Sequence, residues 1–280
     1  MDKISKEELQ RLMSEWVEKT PLNYIQEEQA ICPELTGLKL YDEPIIGFAA
    51  SEDPIFEEFQ QTEVIGEGFC LPKYWLPEAQ TVLSFFLPLS NEVRKANRKD
   101  PIWPASEWLH GRIEGQILVK NLCLYLQEVF KDAGFSSSVP SLDERFWCND
   151  QADLEKNGVV IPGFTSNWSE RHIAYGCGLG TFGLSAGLIT KKGIAGRFGS
   201  LITSMILPPD IRNYQHYDEY CTKCGACVYR CPVDAISMED GKDHALCGHF
   251  IDKTKELYAP RYGCGKCQVA VPCEIQIPNR

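Results

Sequence analysis

At 280 residues with 44% apolar content, the chain is long enough for one large domain and a small appendage, and no run of about 18 apolar residues offers a membrane span. The formal charge is -11. Residues 221–280 hold eight Lys or Arg against seven Asp or Glu, so residues 1–220 carry -12, an acidic surface that repels phosphate backbones and argues against a nucleic-acid ligand. Eight of the 13 cysteines fall within residues 221–280, too tightly and regularly spaced for a secreted disulfide scaffold, which predicts metal ligation and a reducing, cytoplasmic setting.

Leu9, Leu12, Met13, Trp16 and Val17 recur at helical spacing among charges, so Met1 to Glu18 predicts an amphipathic helix rather than a signal peptide. Pro21, Pro54, Pro77, Pro88, Pro101 and Pro104 punctuate the connections beyond it, and between them Thr81 to Leu87 reads as a buried strand. From Glu107 to Ala133, Leu109, Ile113, Ile117, Leu118, Leu122, Leu126, Val129 and Phe130 keep a three-to-four period that stops at Gly134, which predicts a long core helix. Val159 to Ile161 reads as another strand. Asn167, with Glu170 three residues on, predicts the N-cap of a short helix running to Tyr175. This alternation predicts an α/β sandwich.

Glycine then becomes dense, at Gly176, Gly178, Gly180, Gly183, Gly187, Gly193, Gly196 and Gly199, with a turn at Lys191-Lys192-Gly193 and a strand-like stretch from Arg197 to Leu207. Such backbone either approaches something flat or bulky or folds into tight turns. Without a Walker lysine or Rossmann spacing it does not specify a nucleotide, and both readings stay open.

Cys221-x-x-Cys224-x-x-Cys227-x-x-x-Cys231-Pro232 is the spacing by which a loop wraps three corners of one 4Fe-4S cubane and sends its fourth cysteine to another. Cys247, Cys264, Cys267 and Cys273 come next, with a long gap after Cys247 and five residues between Cys267 and Cys273. Crossed ligation predicts that Cys221, Cys224, Cys227 and Cys273 hold one cluster while Cys231, Cys247, Cys264 and Cys267 hold the other. The competing reading is a zinc ribbon at Cys264 and Cys267 beside a single cluster; two cubanes use all eight thiols. His244 and His249 flank Cys247 but are not needed as ligands. Cys32, Cys70, Cys123, Cys148 and Cys177 are scattered and read as small buried residues, Cys177 standing out because it opens the glycine-rich stretch.

Across roughly residues 75 to 275 the chain resembles the family of epoxyqueuosine reductase and the reductive dehalogenases. The resemblance is carried by Gly178-Leu179-Gly180-x-x-Gly183-x-x-x-x-Gly187-Leu188-Ile189-Thr190, by Gly199-Ser200-Leu201-Ile202-Thr203 and by the cysteine order from Cys221 to Cys273. It implies a nitroreductase-like α/β domain over residues 1–215 and a two-cluster ferredoxin-like domain over residues 216–280. It also implies a base-off cobalamin packed on Cys177, Gly178, Leu179, Gly180, Gly183, Gly187, Gly199, Ser200, Leu201 and Thr203. Two departures stand out. The aspartate that serves epoxyqueuosine reductase as proton donor aligns with Phe164, and the chain stops soon after Cys273 without the helical extension of some tRNA-acting members. No Asp-x-His-x-x-Gly offers a histidine to cobalt, and the segment from Gly265 to Cys273 resembles less characterised double-cluster relatives.

The resulting expectation is an iron-sulfur oxidoreductase that takes electrons from a low-potential donor of the ferredoxin or flavodoxin kind and reduces an unknown substrate at a corrinoid. Tyr175, His172 and Glu170 are the proton-donor candidates, each equally readable as a packing or capping residue, and Arg145 and Arg171 are candidate anion binders. An electron-transfer or activator protein that serves a partner's corrinoid is the alternative, and flavin is the alternative cofactor.

Overall fold

The computed structural model describes residues 4–149, 154–156, 159–161 and 163–279. An antiparallel sheet lies at its centre, made of Ile45–Ala50 (β1), Thr81–Pro88 (β2), Ser137–Ser138 (β3) and Gly196–Thr203 (β4) in the order β1-β2-β4-β3. β2 is buried along its whole length, because helices cover both sheet faces. On one face, Leu83, Phe85 and Leu87 join Leu118, Leu122 and Phe130 of the long helix Ser106–Asp132 and Leu9, Met13 and Val17 of the first helix, Lys6–Lys19. On the other, Val82, Ala49 and Ile202 meet Trp168, Ile173 and Cys177 on and beside the helix Glu170–Gly176. Each fully buried Leu or Phe contributes about 1.5–3 kcal/mol. Successive β2 residues therefore feed two cores, and the pairs Leu83–Leu201 and Phe85–Gly199 fix the register, since a one-residue slip would exchange those cores.

Two predicted details differ. The helix before the glycines begins at Glu170 with Ser169 at its cap, because Asn167 is engaged elsewhere: it accepts from Trp147 N at 3.0 Å and donates to Arg145 O at 2.9 Å, pinning two loops together. The strand from Arg197 ends at Thr203 rather than Leu207, where the Thr203 hydroxyl accepts from Met205 N and turns the chain.

The cysteine-rich tail carries a small hairpin, Ile236–Ser237 with Gly241–Lys242, and a helix, His244–Tyr258, that occupies the long gap after Cys247. Asp243 caps that helix by accepting from Leu246 N at 2.9 Å, a signal the cysteine spacing overshadows. Val269 of the tail belongs to the main apolar core, so tail and sheet domain share buried surface. The architecture is an α+β sandwich with a ferredoxin-like appendage. Among the described residues no helix is long and apolar enough to cross a membrane.

Candidate electron-transfer and cofactor site

Left-handed backbone at Lys223 (φ 52°) and Gly225 (φ 73°) bends the first cysteine loop back on itself ahead of the short helix Ala226–Tyr229. Cys221, Cys224 and Cys227 thereby face one small cavity, which Cys273 closes together with Ile189, Ile194 and Val271. Cys231 leaves that loop, accepting from Ala235 N at 3.2 Å, and borders a second cavity of about 290 Å³ with Cys247, Cys264 and Cys267. The chain thus gathers its tail cysteines in the same four-and-four division as the expected crossing. Burial, reinforced by neighbouring cysteines, pushes the thiols of Cys264 and Cys273 up to about 12 and that of Cys227 up to about 11. Binding of iron would displace those protons and relieve the mutual repulsion. No three Cys, His, Asp or Glu side chains among the described residues converge closely enough to share a single ion, so the thiols surround voids instead of meeting at a point.

Charged residues fasten both cages to the helix Asn91–Lys99. Lys266, fully buried between Cys264 and Cys267, donates to the backbone and side-chain oxygens of Asn97 at 2.8 and 3.1 Å, and Asn97 donates to Cys264 O at 2.9 Å. Burial lowers the Lys266 ammonium to about 8. Glu274, next to Cys273, accepts from Arg94 and Arg98 of the same helix. The Trp108 indole presses on Gly265 so closely that a Cβ there would lie 1.8 Å from the ring. None of these contacts is written in the cysteine spacing.

A larger cavity, of about 790 Å³, opens beside the cages. Phe59, Phe164, Tyr175, Phe182 and Tyr217 supply aromatic wall, and Glu58, Glu63, Asp218, Glu239 and Asp240 line it together with Arg171, Lys223 and Lys242, Lys223 being paired with Asp218. Its wall is common to both cages: Cys221, Gly183 and Leu184 also line the first, while Arg171 and Lys242 also line the second. A volume of this size lies in the upper part of the range of about 300–1,000 Å³ usual for organic ligands and cofactors.

Of the proton-donor candidates, His172 and Tyr175 stand in this wall and Glu170 does not. His172 Nδ1 lies 2.8 Å from the Ser169 hydroxyl; burial and the adjacent Arg171 push the imidazole down to about 4, so it is neutral at physiological pH. Burial raises the Tyr175 phenol. The Glu170 carboxyl is enclosed behind the wall and raised to about 7 by burial, and its Oε2 has no hydrogen-bond partner among the described residues. Phe164 does line the cavity, in left-handed backbone (φ 56°) and against the His244 ring. Arg171 lines it too, whereas Arg145 is committed to Asp143 and to the carbonyls of Tyr74 and Trp75.

Of the ten residues expected to pack on a corrin, Gly183 borders the large cavity. Cys177, Ser200, Leu201 and Thr203 are fully buried in or under the sheet, and Ser200 accepts from the Trp168 indole at 2.9 Å. Leu179 belongs to a core cluster with Phe86 and Leu188, and Gly178 turns the chain beside Asp210. Gly180, Gly187 and Gly199 abut the Ile189 carbonyl, the Ile194 side chain and the Phe85 ring. The tight-turn and close-packing reading of the glycines therefore accounts for most of them here. Sequence reasoning did not reach Arg112, Arg197 and Lys242, which surround the second cage from three separate elements.

Comparison with known proteins bears on the first cysteine loop and on the fold. Residues 214–237 match the 4Fe-4S binding domain family. An epoxyqueuosine reductase of Vibrio cholerae serotype O1 is 29% identical over 114 residues, a match spanning 37% of this chain and 30% of that protein. The structure of epoxyqueuosine reductase from Streptococcus thermophilus superposes with a TM-score of 0.50 at 17% identity, covering 98% of this chain and 68% of that one. The catabolic reductive dehalogenase NpRdhA gives 0.52 at 15% identity, over 97% of this chain and 37% of its own. The chain has the fold shared by these proteins, is related over part of its length to an epoxyqueuosine reductase, and carries a 4Fe-4S binding domain in its tail.

Proposed function

We propose that the two cysteine cages hold 4Fe-4S clusters and that the large cavity holds a corrinoid at which an unknown substrate is reduced. When bound, the clusters supply one-electron carriage and the corrinoid supplies a strongly reducing metal centre. The observation that carries this reading is the shared wall, since Cys221 and Gly183 join the large cavity to the first cage while Arg171 and Lys242 join it to the second. The donor sets fit the clusters: two groups of four thiols around voids, with Arg230 beside Cys231 holding Nε and Nη2 enclosed and without a partner among the described residues. Size and aromatic walls fit a broad planar cofactor.

With Phe164 in the wall, His172 and Tyr175 are the donor candidates that border the cavity, and Tyr175, whose raised phenol keeps its proton, is the one able to give it, the neutral His172 ring serving to bind and orient. That ring is held at Nδ1 by the Ser169 hydroxyl. The carboxylates of Glu58, Glu63, Asp218, Glu239 and Asp240 outnumber the cations Arg171, Lys223 and Lys242 in the lining, with Lys223 paired to Asp218, and this mild acidic excess disfavours a polyphosphate backbone. A low-potential donor of the ferredoxin or flavodoxin kind would meet the chain near the exposed Cys224, in a reducing cytoplasmic compartment.

The test is an anaerobic preparation with cobalamin supplied, followed by iron and zinc analysis and the absorbance of any organic cofactor released on denaturation. About eight irons per chain with stoichiometric corrinoid is the expected result. Zinc, or about four irons, overturns the cluster assignment; a released flavin, or about eight irons with no corrinoid bound on titration, overturns the corrinoid and, in the latter case, leaves a carrier that serves a partner.

A further inference from the structure

The two cages differ in a way their cysteines do not explain. Arg112, Arg171, Arg197 and Lys242 line the cavity of Cys231, Cys247, Cys264 and Cys267, and no ion pair joins any of them to a carboxylate among the described residues. They come from the long helix, from the helix before the glycines, from β4 and from the tail hairpin, so the convergence is a product of the fold. Arg112 donates to the Tyr262 hydroxyl at 2.9 Å, and Arg171 donates to Ala186 O, which fixes both in place. Arg112, Arg197 and Lys242 are half-buried and Arg171 is exposed; Arg197 is pushed down to about 10 by burial and by the nearby Arg112. Among the described residues the lining of the other cage carries no charged side chain: besides its cysteines it consists of residues such as Ile189, Ile194, Thr222, Val271 and Pro272. Its Cys224 is exposed, so one side of that cage faces water.

Each electron added to a four-thiolate cluster makes it more negative, and a half-buried cation with no carboxylate partner stabilises that charge more strongly than the same cation in water. Resting on the cluster reading above, we infer that Arg112, Arg171, Arg197 and Lys242 make the inner cage the electron sink of the pair. It is reduced first and stores one electron, while the outer cage at Cys224 accepts the next from the external one-electron reductant. Each transfer adds one electron to one cluster and breaks no bond. A two-electron reduction needs two single electrons at hand, and this asymmetry holds the first until the second arrives.

The experiment is a redox titration of the anaerobically reconstituted protein, with dithionite and mediators, followed by electron paramagnetic resonance. Wild type should show two one-electron steps at separate potentials. Arg197→Gln and Lys242→Gln should each lower the upper step alone, its reduction constant falling about tenfold, which is about 59 mV for one electron. Lys242 is half-buried on the tail hairpin, so its variant keeps the test open should Arg197→Gln fail to fold. Thr222→Lys, which adds a cation to the outer lining, should raise the lower step and spare the upper. Steps that stay put in Lys242→Gln, that move together, or a shift confined to the lower step in that variant overturns the inference. Iron near four per chain, or zinc, instead removes the cluster reading on which it rests.

Discussion

Removing the carboxylate of Glu274 should destabilise the protein by about 4 kcal/mol. Its side chain is 4% exposed and accepts from Arg94 Nη1 at 3.2 Å, from Arg98 Nε and Nη2 at 3.0 and 2.6 Å, and from Ala270 N at 2.7 Å. Glu274→Ala leaves Arg94, 11% exposed, as a buried cation without its partner, and breaking such a pair costs about 3–5 kcal/mol. Arg98 is 40% exposed, so water screens it and its share stays below about 1 kcal/mol. The freed Ala270 N–H contributes about 1–3 kcal/mol unless water reaches it, and because these losses share one site they overlap and do not sum. Adding Arg94→Ala removes the stranded cation and should recover about 1–3 kcal/mol relative to additivity. Anaerobic urea unfolding of the four proteins in the cycle, followed by far-ultraviolet circular dichroism, measures both quantities. A loss under about 1 kcal/mol for Glu274→Ala, or a coupling within about 0.5 kcal/mol of zero, would refute the clamp.

Other expectations concern the cage wall and the buried titratable groups. Gly193 has φ 84°, and a Cβ there would sit 2.2 Å from Glu274 O, so Gly193→Ala should prise the glycine-rich hairpin off the Cys273 loop. Iron per chain would fall toward about four, and full iron content at wild-type stability would count against that contact. Because the folded Glu170 carboxyl is raised to about 7 from 4.5, the unfolded chain binds fewer protons between these values, and stability falls as pH rises through that window. Glu170→Gln should therefore gain on wild type as pH passes from 4.5 to 8, and a pH-independent difference in urea midpoint would contradict this. His172 has the opposite sign: lowered to about 4 from 6.5, it leaves the unfolded chain with more protons in that interval, so its contribution grows as pH rises from 4 to 6.5. His172→Gln should flatten that rise, and an unchanged slope would show that the ring titrates normally.

Several features could be read directly along the chain because the physics behind them is local. The loop from Cys221 to Cys231 shows its chemistry in its spacing, since three thiols that share a cubane must lie within a few residues of one another. The long helix and β2 were legible because burial leaves a periodicity or an unbroken apolar run in the sequence. Gly180, Gly187 and Gly199 were ambiguous, because whether a glycine meets a cofactor, a carbonyl or a phenyl ring depends on which strand folds beside it. Asn167 looked like a helix cap, and only the loop carrying Trp147 and Arg145, some twenty residues away, drew its amide elsewhere. The cations around Cys231 and Cys267 left no linear trace at all: Arg112 and Arg197 lie on a helix and a strand far apart in sequence, and they become neighbours only when the helix packs on the sheet. Sequence spacing thus marked the cysteines of the tail as a ligand set and, from Cys221 to Cys231, as one of the 4Fe-4S binding kind, whereas the charge around each cage was decided by packing between distant segments, because electrostatic effects follow distance through space rather than along the chain.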